Sequence, residues 1–380
     1  MSGDAGLLTL ALAGVLLAAL LAYVLLGGAD YGGGVWDLFA TGERKERQRA
    51  LIADAIGPVW EANHVWLILV VVLLFTVFPP AFARLTTVLH LPLLLMLIGI
   101  VLRGTAFTFR TYDDRRSGAQ RRWGLVFAIA SVFTPIMLGI CVGAIASGAA
   151  GESWGILARV QACAQAGDTG PECEGARQAA TFGAVYVQSW LTPFALGIGV
   201  LALAMFAFLA GVYLAVESPD AALREDFRLR ALVAAGATAA IAVLLPLASA
   251  GRVPIVGERL LGAWWSKPAL FVTAAVAATA ASALWRRRYR LARWASAGMV
   301  TLLLAGWAAA QFPLLVPPDL TIALAAAPQA TQRLVAWVLG LGAFVLVPSM
   351  VYLFRVFKGR PPAFARMEAR TTVRGRDHRG

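Results

Sequence analysis

Charged residues, histidine and cysteine are all scarce in this 380-residue chain. Asp, Glu, Lys and Arg make up 14% of the residues, against about 25% in an ordinary soluble domain. This scarcity excludes a soluble enzyme and a disordered chain. Three cysteines are too few for a disulfide-built scaffold, and the glycine-rich and paired-cysteine motifs of common soluble sites do not stand out. What remains is a composition that is 59% hydrophobic, which is typical of a membrane protein.

Nine hydrophobic runs of at least 18 residues contain no Asp, Glu, Lys or Arg, and a membrane-spanning helix needs roughly 20 such residues. The fifth run is long enough for two short spans. Its first ten residues are weakly apolar, so we interpret it as a loop end followed by one helix. We therefore predict an all-α polytopic membrane protein that forms a single membrane domain over residues 1–380. The predicted spans are 7–28, 62–83, 85–102, 123–151, 178–216, 231–251, 268–285, 294–318 and 334–354.

The net charge of +12 is distributed unevenly among the loops. When the nine spans alternate with the N-terminus outside, 26 of the 33 Lys and Arg residues lie on one side. Cytoplasmic loops are rich in Lys and Arg, so the sequence predicts an outside N-terminus and a cytoplasmic C-terminus. Anionic lipid accounts for the basic loops, and no nucleic-acid partner is needed. Residues 43–49 and 286–290 are interpreted as solvated faces, and 358–380 as a disordered basic cytoplasmic tail.

The longest predicted extracytoplasmic loop, 148–181, contains Cys163 and Cys173. An oxidising compartment permits a disulfide between them. The alternative is a pair of free thiols, and we expect the disulfide. Cys141 lies within the fourth span, where we expect it to contribute to packing.

Two ionisable residues mark the ends of predicted spans near the cytoplasmic side. Asp30 follows the first span in a glycine-rich stretch, and Arg103 ends the third. For Asp30 we favour a structural role as a helix-end carboxylate that is capped by backbone N–H groups or paired with an Arg. A lone charge would be costly at this depth. We therefore predict that Arg103 pairs with Asp30 or with Glu61 in a partly buried network.

A second polar cluster enters the membrane at the start of the second span. Asp54 and Glu61 are seven residues apart and share one helix face. Pro58 has no N–H to donate to the Asp54 carbonyl, so this carbonyl loses its hydrogen bond within the helix. Desolvation would raise the pKa of the Glu61 carboxyl group, so that it could exchange protons near neutral pH. The alternative is a polar helix end that reaches the headgroups, and the residues alone leave both open. The cluster also contains Trp60, Asn63, His64 and Trp66.

Haem binding by this chain is not expected, because membrane haems need His or Met ligands on facing helices. The three histidines are His64, His90 and His378. The first two are predicted near opposite membrane faces, and the third is in the tail. We expect His90, two residues before Pro92, to start or kink the third span. We predict no metal site.

Several segments together resemble subunit II of cytochrome bd-type quinol oxidases, nearly over the whole length. Residues 55–68 (AIGPVWEANHVWLI) are similar to the central signature of that family. Weaker matches are 28–37 (GADYGGGVWD), 78–82 (FPPAF), 102–110 (LRGTAFTFR) and 311–322 (QFPLLVPPDLTI).

The resemblance implies a haem-free partner of subunit I, which carries two haems b, one haem d and the quinol site. It implies two four-helix bundles plus one peripheral helix, in the bacterial cytoplasmic membrane. Glu61 would be the carboxylate of a cytoplasmic proton path, and Asp30, Trp60, Asn63 and Arg103 match family positions near it. A structural quinone, lipid and small accessory subunits are further implied partners.

One residue departs from the family pattern. Many members have an acidic residue at the position of Thr108, and Thr108 cannot ionise. The resemblance implies an electrogenic quinol:oxygen oxidoreductase. We weigh it against a proton-coupled secondary transporter that uses Glu61 and Asp30, and against a purely structural scaffold.

Overall fold

The chain is almost entirely helical over the residues that the structure describes. The computed structural model describes residues 5–112 and 118–358, without the side chains of 56–61, 110–112, 118–121, 353–354 and 356–358. The all-α class predicted from the hydrophobic runs is therefore confirmed. The helices in these ranges are α1 Leu7–Leu38, α2 Lys45–Val77, α3 Pro79–Val88, α4 His90–Tyr112, α5 Gly118–Ala146, α6 Ala149–Ala166, α7 Pro171–Ala179, α8 Pro193–Glu217, α9 Ala221–Ser249, α10 Ser266–Trp285, α11 Tyr289–Gln311, α12 Ile322–Ala325 and α13 Gln329–Lys358.

Among the described residues, eight helices are long and apolar enough to cross a membrane: α1, α4, α5, α8, α9, α10, α11 and α13. The predicted second span, 62–83, does not continue as one helix. It bends by 115° at Phe78, where α2 ends and α3 begins. Pro79 and Pro80 follow, and since proline lacks the N–H that would continue α2, they fit the first turn of α3 instead. A count of nine spans requires this bent pair to be one span, so it stays a prediction.

The fifth run contains one long helix, as predicted. A π-helical turn at Gly183–Val187 precedes Thr192, whose hydroxyl accepts a hydrogen bond from the Ala195 N–H and caps α8. The fourth and eighth runs end earlier than predicted. Gly148, in a left-handed conformation, separates α5 from α6, and α11 stops at Gln311 before the Phe312–Pro313 pair.

The helices pack in two groups that meet along α1, α5 and α8. α1 contacts α2 and α5, and α4 packs on α5. In the second group α8 packs on α9 and α11, and α10 lies against α9 and α11. α13 touches α1 and α2 and buries little of its apolar surface. These contacts are compatible with two four-helix bundles and one peripheral helix. That arrangement stays a prediction.

Close approach of α1 to its neighbours depends on glycine. A Cβ atom at Gly32 would overlap the backbone carbonyl of Phe206 in α8, and one at Gly34 would overlap the Ser131 side chain in α5. Small residues let membrane helices approach closely in this way. This packing extends α1 to Leu38, ten residues beyond the predicted end of the first span.

The segment between α5 and α8, which we predicted as a loop, forms the helices α6 and α7. Beside it, strands β1 (Leu314–Val316) and β2 (Leu320–Thr321) pair antiparallel, with Leu314 opposite Thr321 and Val316 opposite Leu320. The chain after the hairpin contacts the bend between α2 and α3. There the Ala327 N–H donates a hydrogen bond to the Val77 carbonyl, the last of α2. Of the predicted tail, residues 359–380 lie outside the described residues.

Candidate functional site

Asp30 lies inside α1, eight residues before its last residue, Leu38. That places the carboxylate about 12 Å from the helix end along the axis, with 0% of the residue exposed. The helix-end position predicted for Asp30 is therefore wrong, because tight packing of the glycine-rich stretch keeps the chain helical past it. A carboxylate at this depth needs a partner of opposite charge.

Arg103 of α4 is that partner. Its Nη1 donates to Oδ2 of Asp30 at 2.8 Å, and its Nη2 donates to Oδ1 at 2.5 Å. The same Nη2 reaches the Asp30 backbone carbonyl at 2.9 Å, and Nε donates to Oγ of Ser131 in α5 at 2.9 Å. Of the two carboxylates offered as partners of Arg103 by the sequence, the structure therefore places Asp30 against it. The bidentate pair joins α1, α4 and α5.

Aromatic rings cover the Arg103 guanidinium. Its carbon lies 4.6 Å from the centre of the Tyr31 ring and 4.9 Å from that of Phe127. The hydroxyl of Tyr31 lies 3.5 Å from that of Tyr23, and both residues are buried. These rings exclude water and add cation–π attraction. The aromatic cover and the Tyr23–Tyr31 pair were not recognised in the sequence, although Tyr31 directly follows Asp30.

The start of the second predicted span lies next to this pair. Asn63 and His64 of α2 are close enough to interact with the Asp30 carboxylate. Asn63 is 0% exposed, and a Cβ atom at Gly27 of α1 would lie 3.1 Å from its Nδ2. Among the described residues, neither Nδ2 nor Oδ1 of Asn63 has a hydrogen-bond partner, and the same is true of the buried Nε1 of Trp66.

Glu61 and Trp60 lie within α2, but their side chains are outside the described part of the structure. Asp54 is half-buried in the same helix. That Asp54 and Glu61 share one face of α2 therefore stays a prediction. Thr108, at the position where many family members have an acid, is exposed, and its hydroxyl donates to the Gly104 carbonyl of its own helix at 3.0 Å.

The three cysteines and His90 are at the other end of the helices. A disulfide joins Cys163 of α6 to Cys173 of α7, with a Cα–Cα distance of 5.6 Å. Cys141 is a free, buried thiol. His90 begins α4, where its Nδ1 lies 2.9 Å from the Thr87 carbonyl and its ring packs edge-on against Tyr186.

The two histidines among the described residues are far apart. No group of three or more His, Cys, Asp or Glu side chains among the described residues is arranged to hold a metal ion. His64 lies beside Asp30, whereas His90 contacts Thr87 and Tyr186 at the opposite end of the helices. A pair of axial histidines on facing helices is therefore not formed by these two residues.

Basic residues at the start of α2 form ion pairs with α9, which the sequence did not predict. Arg44 makes two hydrogen bonds to Asp226, at 2.8 and 2.6 Å, and Arg47 bonds to Asp220. Gln48 bridges Asp226 and Arg230. Residues 43–46 are exposed, as a solvated face requires, and the pairing of this segment with α9 is what the interpretation missed. The available signal was the pair of aspartates in 217–230, which lies on the same predicted side of the membrane.

Comparison with known proteins decides the family. The family model described as cytochrome bd terminal oxidase subunit II matches residues 8–357. The chain belongs to this family. It is therefore a bacterial membrane protein of the cytochrome bd subunit II family, as the motifs at 55–68 indicated.

Individual relatives agree over shorter stretches. The chain is 30% identical over 118 residues to cytochrome bd ubiquinol oxidase subunit 2 of Bacillus subtilis (strain 168), which is 31% of this chain and 34% of the relative. It is 28% identical over 138 residues to cytochrome bd-I ubiquinol oxidase subunit 2 of Escherichia coli (strain K12), 36% of this chain and 35% of the relative. The chain thus matches about a third of the length of these curated relatives.

A solved structure extends the likeness over the whole fold. The bd oxidase from Geobacillus thermodenitrificans contains a chain that superposes with a TM-score of 0.70, covering 93% of this chain and 99% of that one. Sequence identity is 19%, so this match shows the fold alone and nothing about individual residues.

Proposed function

We propose that this chain is the haem-free subunit II of a cytochrome bd-type complex that oxidises quinol and reduces O2 to water. The observation that carries the proposal is the family match over residues 8–357. The histidine positions support it, since His64 and His90 do not face each other as an axial pair, and the haems b and d would belong to subunit I. Subunit I and the quinol pool are the partners that follow, with lipid, small accessory subunits and a structural quinone as further candidates.

The proposed orientation has the N-terminus outside and the C-terminus in the cytoplasm. Two independent features support it. Most basic residues fall on one side of the predicted spans, and the Cys163–Cys173 disulfide lies at the opposite end, as expected in an oxidising compartment. Asp30, Asn63 and the start of α2 would then face the cytoplasmic half of the membrane.

Within this orientation we assign Glu61 the role of proton carrier and Asp30 a structural role. The Asp30 carboxylate is held by two Arg103 nitrogens, and aromatic rings cover the guanidinium that holds it. A proton on Asp30 would break a bidentate ion pair and leave Arg103 as a buried lone charge. Glu61 matches the proton-path position implied by the family resemblance and precedes the polar residues Asn63 and His64 in α2. Protons taken up from the cytoplasm to form water from O2, together with protons released outside when quinol is oxidised, would make the reaction electrogenic.

Thr108 lies where many family members have a second acidic residue of the proton path. Its hydroxyl is engaged by its own helix and its side chain is exposed, so it does not extend a carboxylate relay into the chain. We propose that the next proton-accepting group after Glu61 is either bound water or a residue of subunit I.

Purification of the tagged chain under mild detergent tests the proposed identity. We expect subunit I to copurify, with a reduced-minus-oxidised spectrum that shows haems b and d and with quinol-dependent O2 uptake. An untagged strain taken through the same steps is the control. Recovery of the chain without haem d and without an oxidase partner would contradict the proposal and favour the transporter. A complex with oxidase activity that Glu61→Gln leaves unchanged would favour the scaffold over a proton path.

A further inference from the structure

Three buried polar atoms without partners lie on one face of α2. They are Nδ2 and Oδ1 of Asn63 and Nε1 of Trp66, and among the described residues none of them has a hydrogen-bond partner. Asn63 and Trp66 are one helical turn apart, so their side chains are neighbours. Asn63 is 0% exposed. Native proteins pair most buried polar groups. The Asp30 carboxylate lies near Nδ2 of Asn63, which leaves Oδ1 of Asn63 and Nε1 of Trp66 as the two atoms that indicate a bound group.

The surroundings define what that group must be. Gly27 of α1 lies opposite the Asn63 amide and provides room there, since even a methyl group at this position would come within 3.1 Å of Nδ2. The Asp30 carboxylate is also next to Asn63. Each of its oxygens accepts one Arg103 N–H and can accept a further bond.

The hydrogen-bonding capacities fit an oxygen that both accepts and donates. The indole N–H of Trp66 and the amide N–H of Asn63 are donors, whereas Oδ1 of Asn63 and the Asp30 oxygens are acceptors. A water molecule satisfies both kinds of group, and buried waters usually make about three such bonds. A quinone carbonyl can only accept, so it would leave Oδ1 of Asn63 unpaired.

We infer that Asn63 and Trp66 hold an ordered water between α1 and α2, beside the Asp30–Arg103 pair. Asn63 and Trp66 follow Glu61 by two and five residues, about 200° and 140° around α2, so this water lies on a different face of the helix from Glu61. Its role is structural: it pairs the buried polar atoms of α2 and holds this helix against α1. Asp30 then acts as a positioning residue that orients the water while it remains paired with Arg103.

The direct test is a high-resolution structure of the complete complex, for the wild type and for two variants. We expect density for one oxygen within hydrogen-bonding distance of Asn63 and Trp66. Asn63→Leu, which keeps the branched shape but has no polar side-chain atom, should remove it. Trp66→Phe keeps the packing but deletes one donor, and serves if Asn63→Leu does not assemble. Trp307→Phe is the matched control, because Nε1 of Trp307 is also buried without a partner among the described residues but lies in α11. Absence of density in the wild type, or density for a quinone head group, would overturn the inference.

Thermal inactivation of the complex separates the water from the proton path. Trp66→Phe should lower the midpoint of inactivation, because the water loses one hydrogen bond, and Trp307→Phe should leave it at the wild-type value. Glu61→Gln should slow quinol-driven proton uptake while the density remains. Equal midpoints for Trp66→Phe and the wild type would overturn the structural role of the water. A wild-type rate for Glu61→Gln, with the density present, would instead overturn the proposed path and leave the water site established.

Discussion

At the scale of single residues, the Asp30–Arg103 pair is the feature that most clearly distinguishes structural from chemical roles. From the sequence, either Asp30 or Glu61 could be the partner of Arg103. Which of them it is depends on how α1 and α4 face each other. The two pairing side chains are at most 2% exposed. At that burial, removal of one partner costs far more than the intact pair contributes.

Arg103→Leu should therefore destabilise the chain by about 3–5 kcal/mol, because it leaves the Asp30 carboxylate buried without a counter-charge. The expected result is a lower yield of assembled complex and a lower temperature of thermal inactivation in mild detergent.

The double variant Asp30→Asn with Arg103→Leu is the control for this change. It removes both charges together, so it should recover much of the lost yield. An Arg103→Leu protein with wild-type yield and turnover would contradict the structural role of the pair.

At the scale of helices, the hydrophobic runs predicted where spans occur, and packing decided where they end. α1 continues through its glycine-rich stretch because Gly32 and Gly34 lie directly against α8 and α5. α2 stops at Val77 because two prolines follow Phe78, and the freed carbonyl is bonded by Ala327 from a distant loop. Runs of apolar residues carry no information about either contact, so both boundaries were missed.

Gly32→Ala tests the close approach of α1 and α8. The added methyl group would overlap the Phe206 carbonyl, so the helices must separate, and overpacking of this kind costs about 1–3 kcal/mol. We expect a lower midpoint of thermal unfolding for the purified complex.

Gly14→Ala is the matched control in the same helix, because nothing lies within 4 Å of the added Cβ atom. Its midpoint should equal or slightly exceed that of the wild type, since alanine favours helix over glycine. Equal midpoints for the two variants would show that the approach at Gly32 is not tight.

At the scale of the whole molecule, composition and charge distribution predicted a polytopic helical protein, and the motifs at 55–68 predicted its family. Both are confirmed. The ion pairs between the start of α2 and α9 could not be read from the sequence, because Arg44 and Asp226 are 182 residues apart. They connect the two helix groups at the end that we propose is cytoplasmic.

Thiol labelling in whole cells tests the proposed orientation. After treatment with a membrane-impermeant reductant, Cys163 should react with an impermeant maleimide, because we place its disulfide outside and its side chain is partly exposed. Cys173 and Cys141 are both buried and should not react. With Thr372→Cys in the tail, labelling of that cysteine should require permeabilised cells. Labelling of the tail in intact cells would reverse the topology.

The central claim is that this chain supplies cytoplasmic protons, through Glu61, to a quinol oxidase whose haems are in another subunit. Its most direct test is the membrane potential that the complex generates in proteoliposomes during quinol oxidation. Glu61→Gln should lower both the potential and the rate of O2 uptake by about ten-fold or more, in line with the loss of a proton-transfer group. Haem content should stay unchanged. Glu152→Gln, an exposed carboxylate in α6, should match the wild type. A Glu61→Gln complex with wild-type potential and O2 uptake would contradict the account.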